Sequence, residues 1–176
     1  FFKAQTSHFV DKLGCPIDPK ILDVVAALRM HGIHTISSCE GHADRPTGGP
    51  YVMFESPKTR ELREKYRSEE KGSKEYKFWH KKAVQENMPE IKKMLLLLED
   101  FYKDRIVPND QHLIVESFRC LDGVLMSQSV RIAQTFTLAD RKALLAKNQA
   151  EMQAFEEYLK LTSPAPHESE HGGALL

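Results

Sequence analysis

Ile33-His34-Thr35-Ile36-Ser37, then thirteen residues, then Tyr51-Val52-Met53-Phe54-Glu55: this stretch decides how the chain is built. Both ends are short and rich in β-branched or aromatic residues, as strands are. The segment between them, residues 38–50, reads Ser-Cys-Glu-Gly-His-Ala-Asp-Arg-Pro-Thr-Gly-Gly-Pro. Its three Gly and two Pro break any helix or strand. A connection of that length between two short strands needs a reason, and function is the usual one.

Upstream, Asp18-Pro19 predicts a helix start, because Asp caps free N–H groups and Pro is tolerated at the first helical position. Ile21, Val24, Val25 and Leu28 repeat at helical spacing, and Gly32 marks the end. Residues 1–17 read as a lead-in with one apolar patch, Phe9, Val10 and Leu13. Downstream, nine of the twelve residues from Arg60 to Lys71 are charged with mixed signs, the pattern of a solvated helix face. Gly72-Ser73 predicts a break, followed by a helix from about Lys74 to Glu86. Asn87 and Pro89 predict a further boundary, with Asn87 as a cap. Ile91, Met94, Leu95, Leu98 and Phe101 give the next helix an apolar face, ending near Arg105. His112–Phe118 and Val124–Ile132 read as two strands of a hairpin joined through Asp122-Gly123. Leu138 to about Leu161 reads as a helix capped by Thr137.

This order predicts an α+β fold: a mainly antiparallel sheet of about four strands, helices on one face, and a long helical insert over about residues 57–106. Residues 1–162 form one domain, and residues 163–176 form a disordered tail. The alternative is an α/β layout, with the first helix feeding the first strand and Leu98 feeding the third as parallel pairs.

The composition limits the function classes. The 176 residues carry 25 Lys+Arg against 25 Asp+Glu, with 41% hydrophobic and 28% charged residues, which is globular composition. The longest apolar run, Met94–Leu98, is far below the roughly 20 residues that span a bilayer, so no membrane association is expected. Neutral net charge removes the broad footprint of a general nucleic-acid binder. The insert over residues 58–105 is mildly basic, fourteen Lys/Arg against ten Asp/Glu. Lys74, Lys77, Lys81 and Lys82 there surround Trp79 and His80, an arrangement that suits RNA as well as core packing. Three cysteines, Cys15, Cys39 and Cys120, do not make a secreted disulfide scaffold, so a reducing, cytoplasmic compartment is expected. Phe1-Phe2-Lys3 has no apolar signal segment behind it.

Chemistry concentrates in Ser37-Ser38-Cys39-Glu40-Gly41-His42. Gly41 allows successive N–H groups to converge on one concavity, and a thiol beside such donors or beside an imidazolium would have a depressed pKa. Three readings follow. Cys39, Glu40 and His42 form a catalytic set, Cys39 the nucleophile and His42 its base. Alternatively, Cys39 and His42 ligate zinc or iron, helped by Asp44, His34, His80, His112 or Cys120. The third reading is a small-molecule or cofactor site, with Ser37, Ser38, Gly41 and Arg45 as binding residues and Gly48-Gly49 closing opposite. Against all three stands burial of Cys39 as a small core filler. A separate reading makes the chain an interaction module, with Met94–Leu98 and the last helix packing against a second copy as a homodimer.

Three side chains outside the loop also suit either role. Glu116 lies on an apolar strip of its strand. Glu55 and Arg131 read as either cross-sheet salt-bridge partners or pocket walls.

Asp18-Pro19, the apolar helix and Thr35-Ile36-Ser37-Ser38-Cys39-Glu40-Gly41 together resemble the tRNA wybutosine-synthesis methyltransferase family, whose signature is Thr-Ser-Ser-Cys-x-Gly-Arg. Ser37, Ser38, Cys39 and Gly41 match it, and His42 stands where that family carries Arg. The resemblance implies S-adenosylmethionine as cofactor and an RNA substrate. The Ser-Cys-Glu-Gly-His core also resembles a group of bacterial proteins of unassigned function, which matches at His42.

Overall fold

Strands β1 (Thr35–Cys39) and β2 (Tyr51–Phe54) pair antiparallel across the long loop, with Cys39 opposite Tyr51 and Thr35 opposite Phe54. Strands β3 (Leu113–Glu116) and β4 (Gly123–Ser127) form the hairpin, and β4 lies beside β2. The computed structural model describes residues 16–45, 48–117, 120–131 and 137–162. Its sheet has the order β1-β2-β4-β3, antiparallel throughout, which overturns the α/β alternative. The expectations for the N-terminal lead-in, Cys15, Ile132, the Arg131 side chain and the C-terminal tail lie outside the described residues.

Among the described residues four α-helices complete the α+β fold: α1 (Leu22–Met30), α2 (Pro57–Ser68), α3 (Lys74–Tyr102) and α4 (Leu138–Leu161). Alternation along the strands separates two faces. Leu113, Val52, Phe54 and Leu125 are buried with Val24, Val25 and Leu28 of α1, Met94, Leu98 and Phe101 of α3, and Met152, Phe155 and Leu159 of α4. Tyr51, Met53, Val124 and Met126 fall on the opposite face and are half-buried. Each large apolar side chain fully buried this way contributes roughly 1.5–3 kcal/mol. A second, smaller core joins α2 to the first half of α3 through Leu62, Tyr66, Ala83 and Leu121.

Several boundaries differ from the sequence reading. Helix α1 begins at Leu22 rather than at Asp18-Pro19. Asp18 supplies only a turn, its carbonyl accepting the Ile21 N–H at 3.1 Å, because its carboxylate is engaged elsewhere. Strand β1 lies two residues later than Ile33–Ser37, since Ile33 donates its N–H to Leu28 O at 3.0 Å and closes the end of α1. Cys39 is therefore the last strand residue and not a loop residue. Helix α3 runs unbroken through Pro89. Asn87 is not a cap: it is fully buried, with Oδ1 accepting from Ser56 N at 3.0 Å and Nδ2 donating to Cys120 O at 3.3 Å. Burial of Asn87, Glu90, Ile91 and Met94 on one face holds the helix together across the donor that Pro89 lacks. Strand β4 ends at Ser127 and continues as a 3₁₀ turn over Gln128–Arg131.

The hairpin forms where Asp122-Gly123 placed it, by a different device. The left-handed residue is Cys120, φ 57°. Gly123 opens β4 opposite Phe54, and a Cβ there would lie 2.2 Å from the Phe54 ring. The N-cap of α4 is Thr137, as read, and Asp140 completes a capping box that the sequence reading did not name.

Candidate metal centre

The end of β1 enters its loop through Gly41, whose φ of +90° is open to few other residues. The space beside it is filled: a Cβ would meet Gly48 O and Leu145 Cδ1, each at 2.6 Å. The His42 N–H donates to Gly48 O at 2.5 Å, and the Arg45 N–H donates to His42 O at 3.2 Å, so the loop closes on itself. On its other side the Glu40 carbonyl accepts from Gln149 Nε2 of α4 at 2.8 Å.

This closure sets His42 beside Cys39 and brings a third group to them. Asp18, Cys39 and His42 each place one ligand atom so that all three lie within 4.8 Å of one another, and all three residues are half-buried. They are the single such group of three or more among the described residues. Asp18 is aimed by its own hydrogen bond, Oδ2 accepting the Glu40 N–H at 3.0 Å. A tetrahedral zinc would hold sulfur and nitrogen or oxygen ligands about 3.5 Å apart, given its bond lengths of about 2.0–2.3 Å. Going from 4.8 Å to that spacing shortens a ligand–ligand distance by about 1.3 Å at most.

The thiol itself is not activated. Burial pushes the Cys39 pKa up, and the Asp18 carboxylate adds to the rise by charge and by hydrogen bonding. The Gly41 N–H, 3.4 Å from Sγ, and the Arg45 charge oppose it without reversing it. The depressed pKa expected beside loop N–H groups is thus corrected: the donors are outweighed by desolvation and by a neighbouring carboxylate. A positively charged metal ion held by these groups would favour the thiolate.

The other sequence-derived candidates separate from this cluster. The Glu40 carboxylate lies at the start of α1, accepting from the Lys20 N–H at 3.3 Å, and is not one of the three clustered groups. Ser37 and Ser38 pair with Met53 and Val52 and line a recess of only about 10 Å³ with Ile17, Val25 and Arg29. Arg45 and Asp44 are exposed on the loop. His34 is hydrogen-bonded to Glu90, His80 stacks on Tyr76, and His112 stacks on Tyr102. Cys120 packs in the hairpin turn, so none of these joins Cys39 and His42. Glu55 is buried against Arg60 and Arg63 of α2. Glu116 is half-buried opposite Val124. Trp79 packs against the smaller core with Lys65 and Lys82 over its ring.

Asp18 is the member of this cluster that the sequence reading did not connect with Cys39 and His42. Its position before Pro19 mimics a helix cap, and nothing in the local sequence links it to Cys39, twenty-one residues away. No protein-family model, no curated protein and no solved structure matches this chain.

Proposed function

We propose that Asp18, Cys39 and His42 bind a divalent transition metal, with zinc the best chemical match, and leave one coordination position for water or a substrate oxygen. The observation that carries this reading is the convergence of sulfur, nitrogen and carboxylate oxygen within 4.8 Å from two separate parts of the chain. Thiolate and imidazole select zinc over magnesium or calcium, which take oxygen ligands. Three protein ligands with an open fourth position is the arrangement of catalytic zinc, in which the bound water becomes acidic enough to attack a carbonyl or phosphoryl centre. Metal-assisted hydrolysis is the reaction class this supports. The Asp18 carboxylate is already oriented by the Glu40 N–H, the kind of outer hydrogen bond that positions a metal-binding carboxylate.

Elemental analysis of the purified protein tests the proposal. One zinc per chain is expected, lost in Cys39→Ala and in His42→Ala. Cobalt substitution is expected to give a thiolate-to-metal charge-transfer band that Cys39→Ser weakens. Absence of stoichiometric metal together with absence of that band overturns the proposal. A melting temperature raised by S-adenosylmethionine and unmoved by zinc would instead favour the methyl-transfer reading carried by Ser37, Ser38, Cys39 and Gly41.

A further inference from the structure

A buried carboxylate on α3 fixes a histidine beside a cleft. Glu90 is 5% exposed, and its Oε1 accepts the backbone N–H of His34 at 3.2 Å and is also hydrogen-bonded to Nδ1 of the same residue. Lys93, one turn on, lies 3.6 Å from Oε2 and donates to Gly32 O at 2.9 Å, which ties the carboxylate to the turn after α1. The His34 carbonyl accepts the Glu55 N–H at 3.0 Å, so the residue is held on both sides of its Cα. Because Oε1 already acts as acceptor for the backbone N–H, Nδ1 is the donor to it. A neutral imidazole that spends its proton there keeps its lone pair on Nε2. Nε2 has no hydrogen-bond partner among the described residues, and the His34 side chain is 56% exposed.

His34 lines a cleft of about 630 Å³ between the end of α1, residues 33–36 and the start of α2. That volume is in the range of small-molecule sites, about 300–1,000 Å³. Ile33, Ile36 and Pro57 make an apolar wall. The charges of the lining cancel. Arg60 is paired with Glu55, and Arg29 and Glu61 are the other two charged residues there. Arg29 is engaged through Nε with Thr35 Oγ1 at 2.7 Å. Arg63, which also binds Glu55 from outside the cleft, has Asp122 at 3.8 Å. Two guanidinium groups against two carboxylates leave no surplus charge for an ionic head group, and Nε2 is an acceptor fixed in place beside the apolar wall.

We propose that this cleft binds a neutral small molecule carrying a hydroxyl group, the hydroxyl donating to His34 Nε2 and the apolar body resting on Ile33, Ile36 and Pro57. Glu90 is the positioning residue, since it sets the tautomer and holds the ring. The site is separate from the metal centre: His34 precedes Cys39 by five residues, about 16 Å along an extended strand.

Titration of the full chain with p-cresol, toluene and benzoate tests this, at about pH 8, above the ordinary histidine range. Calorimetry reads the affinity, and the ring-nitrogen resonances of the histidines read the tautomer. The free protein is expected to show His34 as the Nδ1–H tautomer, a measurement that needs no variant to fold. p-Cresol is expected to bind one-to-one and to move the His34 Nε2 resonance. Toluene, with no hydroxyl, is expected to bind about fivefold more weakly, the loss of one neutral hydrogen bond, and to leave that resonance in place. Benzoate is expected to bind more weakly than p-cresol, because a carboxylate has no proton to donate to Nε2. His34→Phe is expected to bring p-cresol down to the toluene affinity. Glu90→Ala is expected to release the tautomer and weaken p-cresol while toluene binds as before. Failure of p-cresol to bind overturns the proposal. So does toluene or benzoate binding as tightly as p-cresol, an Nε2–H tautomer at His34 in the free protein, or full p-cresol affinity in either variant.

Discussion

The Asp18 carboxylate accepts the backbone N–H of Glu40 at 3.0 Å, tying the turn before α1 to the end of β1 across twenty-two residues. This contact does two things at once. It satisfies a half-buried donor that has left the sheet ladder, and it holds the carboxylate against the Cys39 thiol. Structure and chemistry at this point therefore separate only by choice of substitution.

Asp18→Ala is expected to lose metal and to cost about 1 kcal/mol of stability, the lower end of the penalty for an unpartnered donor, because this N–H is half-buried. Asp18→Asn keeps an acceptor for that N–H. It is expected to stay within about 1 kcal/mol of the parent while binding metal more weakly, since its amide lacks the carboxylate charge. Urea melts and metal stoichiometry on the two variants check both halves.

Gly41→Ala combines a left-handed backbone with collisions at 2.6 Å on Gly48 O and Leu145 Cδ1. A residue forced into such a conformation costs about 1–3 kcal/mol before any collision is counted. The loop is expected to reopen, with metal binding lost alongside stability. A variant that melts like the parent and keeps its metal would show that the closure through Gly48 does not position His42.

Glu55→Ala is expected to cost about 3–5 kcal/mol, because it strands Arg60 and Arg63 beside a buried space. Glu55→Gln keeps the shape and one acceptor, and is expected to lose less. Chemical denaturation of both variants measures the difference. Metal content per folded molecule is expected to be unchanged in both, since Glu55 lies at the opposite end of β1 from Cys39.

Tyr158 gives the fold an alkaline limit. Burial raises its phenol to about 12, and the hydrogen bond to Asp100 Oδ2 at 2.5 Å adds to the rise. A folded pKa above the unfolded value means that the protonated phenol is favoured by folding. The contribution is complete below the ordinary tyrosine range, near pH 10, and is lost as pH climbs toward 12. Melting temperatures in that window are expected to fall less for Tyr158→Phe than for the parent, and tyrosinate absorbance is expected to report the delayed ionisation.

The Cys39 thiol, raised by burial, is expected to alkylate more slowly at neutral pH in the metal-free protein than in the unfolded chain, with the rate climbing as pH rises. Peptide mass analysis follows Cys39 separately from Cys15 and Cys120. Alkylation of Cys39 as fast as in the unfolded chain would show a thiol open to solvent and contradict the burial described above.

What depends on local period and local caps is legible in the chain alone. Helix α4 with its Thr137 cap, the core face of α1 and the glycine-rich interruption after Cys39 follow from spacing of three to four residues and from backbone freedom, which no distant contact alters. The α+β class follows too, because two strand pairs flanking a helical insert leave few ways to bury their apolar faces. The rest depends on contacts between residues far apart in the chain. Pro89 breaks a helix in isolation, yet α3 continues past it because Asn87 and Met94 are held by other elements. Asp18 would cap a lone helix, but the Glu40 N–H, brought near by folding, claims its carboxylate instead. The thiol beside loop N–H groups became less acidic rather than more, because desolvation depends on what packs around a sulfur, and that is supplied by residues remote in the chain.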